Sequence, residues 1–97
     1  MRRDLSLLLG VPPDVLPPVF LSDKPKPLAV GTRETLLARH PGADPAKLSR
    51  WLKIWTSHRY YLIVLAGGHA RHDLTGKPVA VVSERARRRA VRMLTGA

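Results

Sequence analysis

Apolar and polar positions alternate at helical spacing through the middle of the chain. Leu48, Trp51, Leu52 and Trp55 fall at i, i+3, i+4 and i+7, a single apolar stripe, and Lys47, Arg50 and Lys53 lie off it. Asp44-Pro45 just before the stripe supplies a side-chain acceptor at the N-cap and proline at the first helical position. An amphipathic helix with a basic outer side is therefore predicted up to Trp55. Thr56-Ser57-His58 reads as a break and a new cap, and Tyr60–Leu65 continues as a largely apolar helix ended by Gly67-Gly68. Upstream, Thr32 can cap a short helix over Arg33–His40, with Leu36 and Leu37 facing inward and Pro41-Gly42 ending it.

The pattern changes on both sides of this helical centre. Ala70–Val82 mixes polar and apolar residues around Thr75-Gly76-Lys77, and its second half is β-branched, which predicts a small hairpin. Pro78 confines that half to an edge or a strand start. Ser83 caps a last helix, Glu84–Leu94, with Ala86, Ala90 and Met93 inward, supported by Val91 and Leu94, and Arg85, Arg88, Arg89 and Arg92 around the other side. Six of the nine prolines lie in the first 27 residues. Proline lacks the N–H a helix needs, so that stretch is expected to form at most one helical turn, around Asp4–Leu9, and then an extended arm. Val15, Leu16, Val19, Phe20 and Leu21 would pin the arm by burial. The expected organisation is an N-terminal proline-containing arm over 1–15 and one domain over 16–97. The fold class is α+β, mainly helical, with one or two small hairpins.

Composition narrows the function. Lys and Arg number 17 against 7 Asp and Glu, a net charge of +10 on 97 residues. Arginines on the last helix could form an ordinary solvated face, but such faces mix signs, and after Asp44 the only carboxylates are Asp73 and Glu84. A polyanion is the partner that such a balance favours. No apolar run approaches the roughly 20 residues that cross a bilayer, and a soluble cytoplasmic monomer is expected. Cysteine is absent, which excludes thiolate metal sites and Cys nucleophiles. Among His40, His58, His69 and His72 only His69-x-x-His72 is close enough for shared ligation, and it lacks further ligands beyond Asp73. No metal, cofactor or small-molecule substrate is expected, and no catalytic residues. Of the adjacent Tyr60 and Tyr61, about 100° apart on a helix, one can be core and the other an exposed stacking surface near Lys53, Arg59 and Arg71.

Lys26-Pro-Leu-Ala-Val-Gly31, Trp55-Thr-Ser57, Tyr61-Leu62, Gly68-x-x-Arg71-x-Asp73-Leu-x-Gly76-x-Pro78 and Val82-Ser83 occur in this order over roughly 16–94. Together they resemble the ProQ/FinO domain family of bacterial RNA-binding proteins. The resemblance implies a compact, mainly helical domain with a concave basic face. It also implies an RNA chaperone that binds a stem-loop and its single-stranded 3′ tail, in regulation by small or antisense RNAs. By position it implies that Tyr61 is the concave-face tyrosine, Arg71 the arginine of the hairpin motif and Lys53 a basic residue of the tryptophan helix. Gly31 and Gly76 match turn glycines, and Asp73 an acid that orients its neighbours. Arg50, Arg59, Lys47 and Lys26 complete the candidate RNA-binding set. The chain departs from the family pattern at Ala29 and Ser49, where basic residues are common, and at Tyr60, where some relatives carry arginine.

Two other classes share these features. A DNA-binding, nucleoid-type protein could use Asp44–Trp55 and Tyr60–Leu65 as a helix-turn-helix pair, although the second helix is too apolar to read a groove. A protein-interaction module could offer Pro12–Pro27 as an extended ligand.

Overall fold

A computed structural model describes residues 1–96. Five helices and one two-stranded antiparallel sheet follow in the order α1 (Arg2–Leu9), α2 (Thr32–Arg39), α3 (Pro45–Ser57), α4 (Arg59–Ala66), β1 (Ala70–His72), β2 (Pro78–Val81) and α5 (Glu84–Thr95). Short 3-10 turns at Pro13–Val15 and Pro18–Phe20 link α1 to the segment before α2. Among the described residues no helix is long and apolar enough to cross a membrane.

The caps form where the sequence places them, with one exception. Asp44 accepts from the amides of Ala46 (2.9 Å) and Lys47 (3.2 Å), starting α3. His58 ends α3 and starts α4, its Nδ1 accepting from the Tyr60 amide at 3.3 Å. Ser83 Oγ accepts from the Ala86 amide at 3.1 Å, starting α5. The exception is Thr32, which is the first residue of α2 and not its cap. Gly31, at φ 88°, holds the cap position, and the Thr32 hydroxyl donates back to the Ala29 carbonyl at 2.7 Å.

The N-terminal expectation is corrected. The prolines begin only at Pro12, so nothing prevents Arg2–Leu9 from making two full turns, closed by Gly10 in the left-handed region at φ 69°. α1 is no free arm. Leu5 and Leu9 are buried, and the Trp51 indole N–H donates to the Met1 carbonyl at 2.9 Å. The segment after it is folded down by its 3-10 turns, with Leu16, Val19, Phe20 and Pro27 buried, and is no extended ligand. Val15 and Leu21, expected to pin it, are exposed. Phe20 meets Trp51 and Trp55 edge-on at centroid distances of 5.4 and 5.7 Å, while the two indoles stack at 5.1 Å. Such pairs add to burial about 0.5–1.5 kcal/mol each. The tryptophan stripe of α3 thus builds the core with residues from the proline-rich segment.

The hairpin pairs Ala70 with Val81 and Arg71 with Ala80, and a register irregularity follows at His72. β1 is held on its other side by Pro27–Ala29, through His72 N–H to the Pro27 carbonyl (2.7 Å) and Ala29 N–H to the His72 carbonyl (2.8 Å). The hairpin turn is organised by Asp73, whose Oδ1 accepts from the Thr75 hydroxyl and the amides of Thr75 and Lys77. These donors, the Thr75 hydroxyl first, hold the carboxyl below the ordinary aspartate range. A carboxyl depressed in the folded state adds stability that is present above its unfolded value and is lost as pH falls through the folded one. Thermal stability is therefore expected to decline as pH drops below about 4, and Asp73→Asn should decline less steeply. Identical acid limbs for the two proteins would separate Asp73 from the effect.

α5 lies against α4 through its small residues. Ala90 is buried and Ala86 half-buried. Met93 and Val91, expected inside, are 46% and 47% exposed, and Ala90 is the buried residue of the helix. At the far end Gly68 is required. It adopts φ 74°, and a Cβ there would lie 3.0 Å from Arg87 Nε.

Candidate nucleic-acid interface

The packing of α5 beside α4 and the end of α3 leaves an open groove of about 470 Å³. Its walls carry four cations, Lys53 from α3, Arg71 from β1, and Arg85 and Arg89 from α5. Four hydroxyl residues join them, Thr56, Ser57, Tyr61 and Ser83, over an apolar floor that includes Leu62, Leu65 and Met93. Among the described residues no carboxylate and no histidine lines it.

Each cation reaches the groove for a local reason. Lys53 is on the polar side of α3, one turn before Ser57. Arg71 is the middle residue of β1, and its Nη1 donates to the Leu28 carbonyl at 2.9 Å, which pins one arm of the guanidinium. Arg85 and Arg89 are four apart on α5 and flank its alanine stripe. The acid of that helix is used elsewhere, since Glu84 pairs with Arg87 (3.1 Å) and Arg88 (3.2 Å). Arg85 and Arg89 have no carboxylate within salt-bridge distance among the described residues. The N-terminus of α5 opens beside the groove at Ser83, and its dipole adds to the positive potential there.

Tyr61 occupies the boundary between groove and core. It is 4% exposed, and its hydroxyl accepts from the Leu28 amide at 3.0 Å. Burial raises its pKa, against the lowering effects of the Leu28 bond and of Arg71, so it is a neutral phenol at physiological pH. A ring so covered offers no open face to a base. The exposed tyrosine is Tyr60, which lies over His58 at 5.5 Å with 24° between the rings.

The structure brings Tyr61, Arg71 and Lys53 together in the lining of this groove. It leaves the other four candidates outside the groove. Arg50 and Lys47 are exposed on α3, Arg59 is exposed at the start of α4, and Lys26 is half-buried beside the turn at Gly76. Arg85 and Arg89, absent from the candidate set, are the residues that complete the groove. Their signal was the alanine pair at 86 and 90, which marks the packed side of α5 and so places 85 and 89 at its edge.

Comparison with known proteins agrees with this architecture. The profile of the ProQ/FINO family matches residues 3–96. No curated protein sequence matches the chain. Among solved structures, a FinO-like RNA chaperone from Neisseria meningitidis MC58 superposes with a TM-score of 0.62 at 34% sequence identity, over 67% of this chain. The match spans about half of that protein's length, 53%. Nearly the whole sequence fits one family profile, and the helical fold with its single hairpin has a solved counterpart. The chain belongs to the ProQ/FINO family.

Proposed function

We propose that the protein binds structured RNA in the groove between α3, α4 and α5, taking a stem-loop with a single-stranded 3′ tail, and acts as an RNA chaperone in post-transcriptional regulation. The observation that carries this reading is the composition of the groove, four cations and four hydroxyls with no carboxylate among the described residues. Cations of this density neutralise phosphates and release counterions, which supplies affinity without sequence reading. Hydroxyl side chains suit the 2′-OH of RNA, which is both donor and acceptor. The apolar floor suits the face of an unpaired base at the end of the tail. In this reading Lys53, Arg85 and Arg89 hold phosphates, Arg71 holds the last of them, and Tyr61 contributes its position and hydroxyl. Lys47, Arg50, Arg59 and Lys26 add phosphate contacts outside the groove. The partners are small RNAs and mRNA 3′ ends, met in the cytoplasm by a monomer.

The deciding experiment measures affinity at about 150 mM salt for a hairpin RNA with a 3′ oligo-U tail, the same hairpin without it, and a duplex DNA of equal charge. The tailed hairpin is expected to bind about tenfold or more tighter than the blunt one, the worth of one held base at about 1–3 kcal/mol. Equal binding to all three would reduce the interaction to net charge. Preference for the DNA would favour a nucleoid-type role.

A further inference from the structure

α2 and α3 are joined by a contact that the groove does not explain. Arg33 Nε on α2 donates to Ser49 Oγ on α3 at 2.5 Å. Among the described residues it is the only side-chain to side-chain hydrogen bond that joins two helices. Both helices are already packed by Leu36 and Leu48, each fully buried, so cohesion alone does not call for a fixed arginine. The bond engages only Nε. The other side of the guanidinium has a single acid nearby, Glu34 at 3.8 Å, with side-chain exposures of 40% and 71%, an arrangement that water screens and that leaves the positive charge available.

Position 49 gives this contact a direction. Ser49 precedes Lys53 by four residues and Arg50 precedes it by three, so both lie about one turn from it on the same side of α3, roughly 4.5–6 Å along the axis. Lys53, Thr56 and Ser57 line the groove. The row of α3 that enters the groove therefore runs back through Arg50 and Ser49 to the guanidinium that Ser49 holds. We infer that Arg33, oriented by Ser49, is a phosphate-binding residue at the outer end of a cationic track along α3, so that bound RNA leaves the groove lengthwise over α3 towards α2. A guanidinium held at Nε leaves Nη2 without a partner among the described residues and Nη1 facing only the exposed Glu34 at 3.8 Å, and its planar fork suits phosphate contact. The inference rests on the RNA reading above and extends it to residues outside the groove.

The test uses the full chain, a tailed hairpin RNA and a salt series, with a thermal melt of every variant. Arg33→Ala is expected to bind about three- to tenfold more weakly at about 150 mM salt, with the slope of log K against log salt reduced by about one. Arg33→Ala/Ser49→Arg should regain both affinity and slope, because it offers a guanidinium at the same turn from the α3 side. Arg39→Ala, which removes the same charge from the same helix, should stay within twofold of the parent. Unchanged binding by Arg33→Ala overturns the inference, as does weakening with an unaltered salt slope, which marks a structural tie. Equal weakening by Arg39→Ala also overturns it, as would no recovery in a folded double variant. If Lys53→Ala weakens binding and Arg33→Ala does not, the groove reading survives alone. If the parent chain does not bind the hairpin, both fall.

Discussion

Lys53→Ala/Arg89→Ala is expected to weaken binding of a tailed hairpin RNA by about 20-fold or more at about 0.15 M salt. The figure follows from counterion release, since each phosphate contact contributes roughly 0.7–0.9 to the salt slope and so a factor of about four to six at that salt. The slope itself should fall by about 1.4–1.8. The two residues stand on α3 and α5, on walls of one groove, and neither is within salt-bridge distance of a carboxylate among the described residues. Losing them should leave the melting temperature nearly unchanged, because both are exposed. Arg88→Ala/Arg92→Ala removes the same formal charge from outside the groove and is the matched control. Arg88 is already paired with Glu84. An equal loss of affinity in the control would show that the groove has no special standing over the rest of the basic surface.

The largest effect on stability is expected from Tyr61→Ala. Deleting a buried aromatic ring costs about 3–5 kcal/mol, and here the Leu28 amide also loses its acceptor. Domains of this size are stable by about 5–15 kcal/mol in all, so the variant should melt at least about 12 °C lower. Any accompanying loss of RNA binding would then report on folding. Tyr61→Phe separates the two roles by keeping the ring and removing only the hydroxyl, at about 1–2 kcal/mol. If the Phe variant binds RNA as the parent does, the hydroxyl does not touch RNA and the residue is a pillar of the groove wall. The parent should also lose stability as pH rises past about 10. Burial holds the phenol's folded pKa above its unfolded value, so the stabilisation is complete below the unfolded pKa and fades above it. The Phe variant should lack that contribution. A melt of Tyr61→Ala within a few degrees of the parent would mean that the ring carries little of the core.

The N-terminal segment shows how far composition can mislead. Prolines at 12, 13, 17 and 18 do forbid a long helix, and Pro13 and Pro18 stand at the starts of 3-10 turns. They say nothing about Arg2–Leu9, which carries no proline. Whether that stretch is a frayed turn or part of the core depends on a partner surface, and the partner is Trp51, fifty residues away. Val15 and Leu21 failed for the opposite reason. They are apolar, but the geometry of a 3-10 turn directs neighbours to different sides, so only Leu16, Val19 and Phe20 reached the core.

By itself the sequence determined the order of α2 to α5 and the caps of α3, α4 and α5, the hairpin, the absence of thiol chemistry, the cationic balance and the family. These follow from interactions that span a few residues, such as Asp44 on the amides after it, Ser83 on Ala86 or the i, i+3, i+4 stripe of α3, and from sums over the whole chain. Only the tertiary structure decided which of the 17 basic residues share a surface. Lys53, Arg71, Arg85 and Arg89 meet because the alanine stripe of α5 closes on α4 beside the end of α3. Arg33 reaches Ser49 because α2 lies on α3. It also decided which tyrosine is buried, since adjacent positions on a helix are equivalent until a neighbour covers one of them. Tyr61 is the covered one, with its hydroxyl on Leu28. Spacing along a chain limits which side chains can face the same way, and the packing of distant segments selects which of them meet.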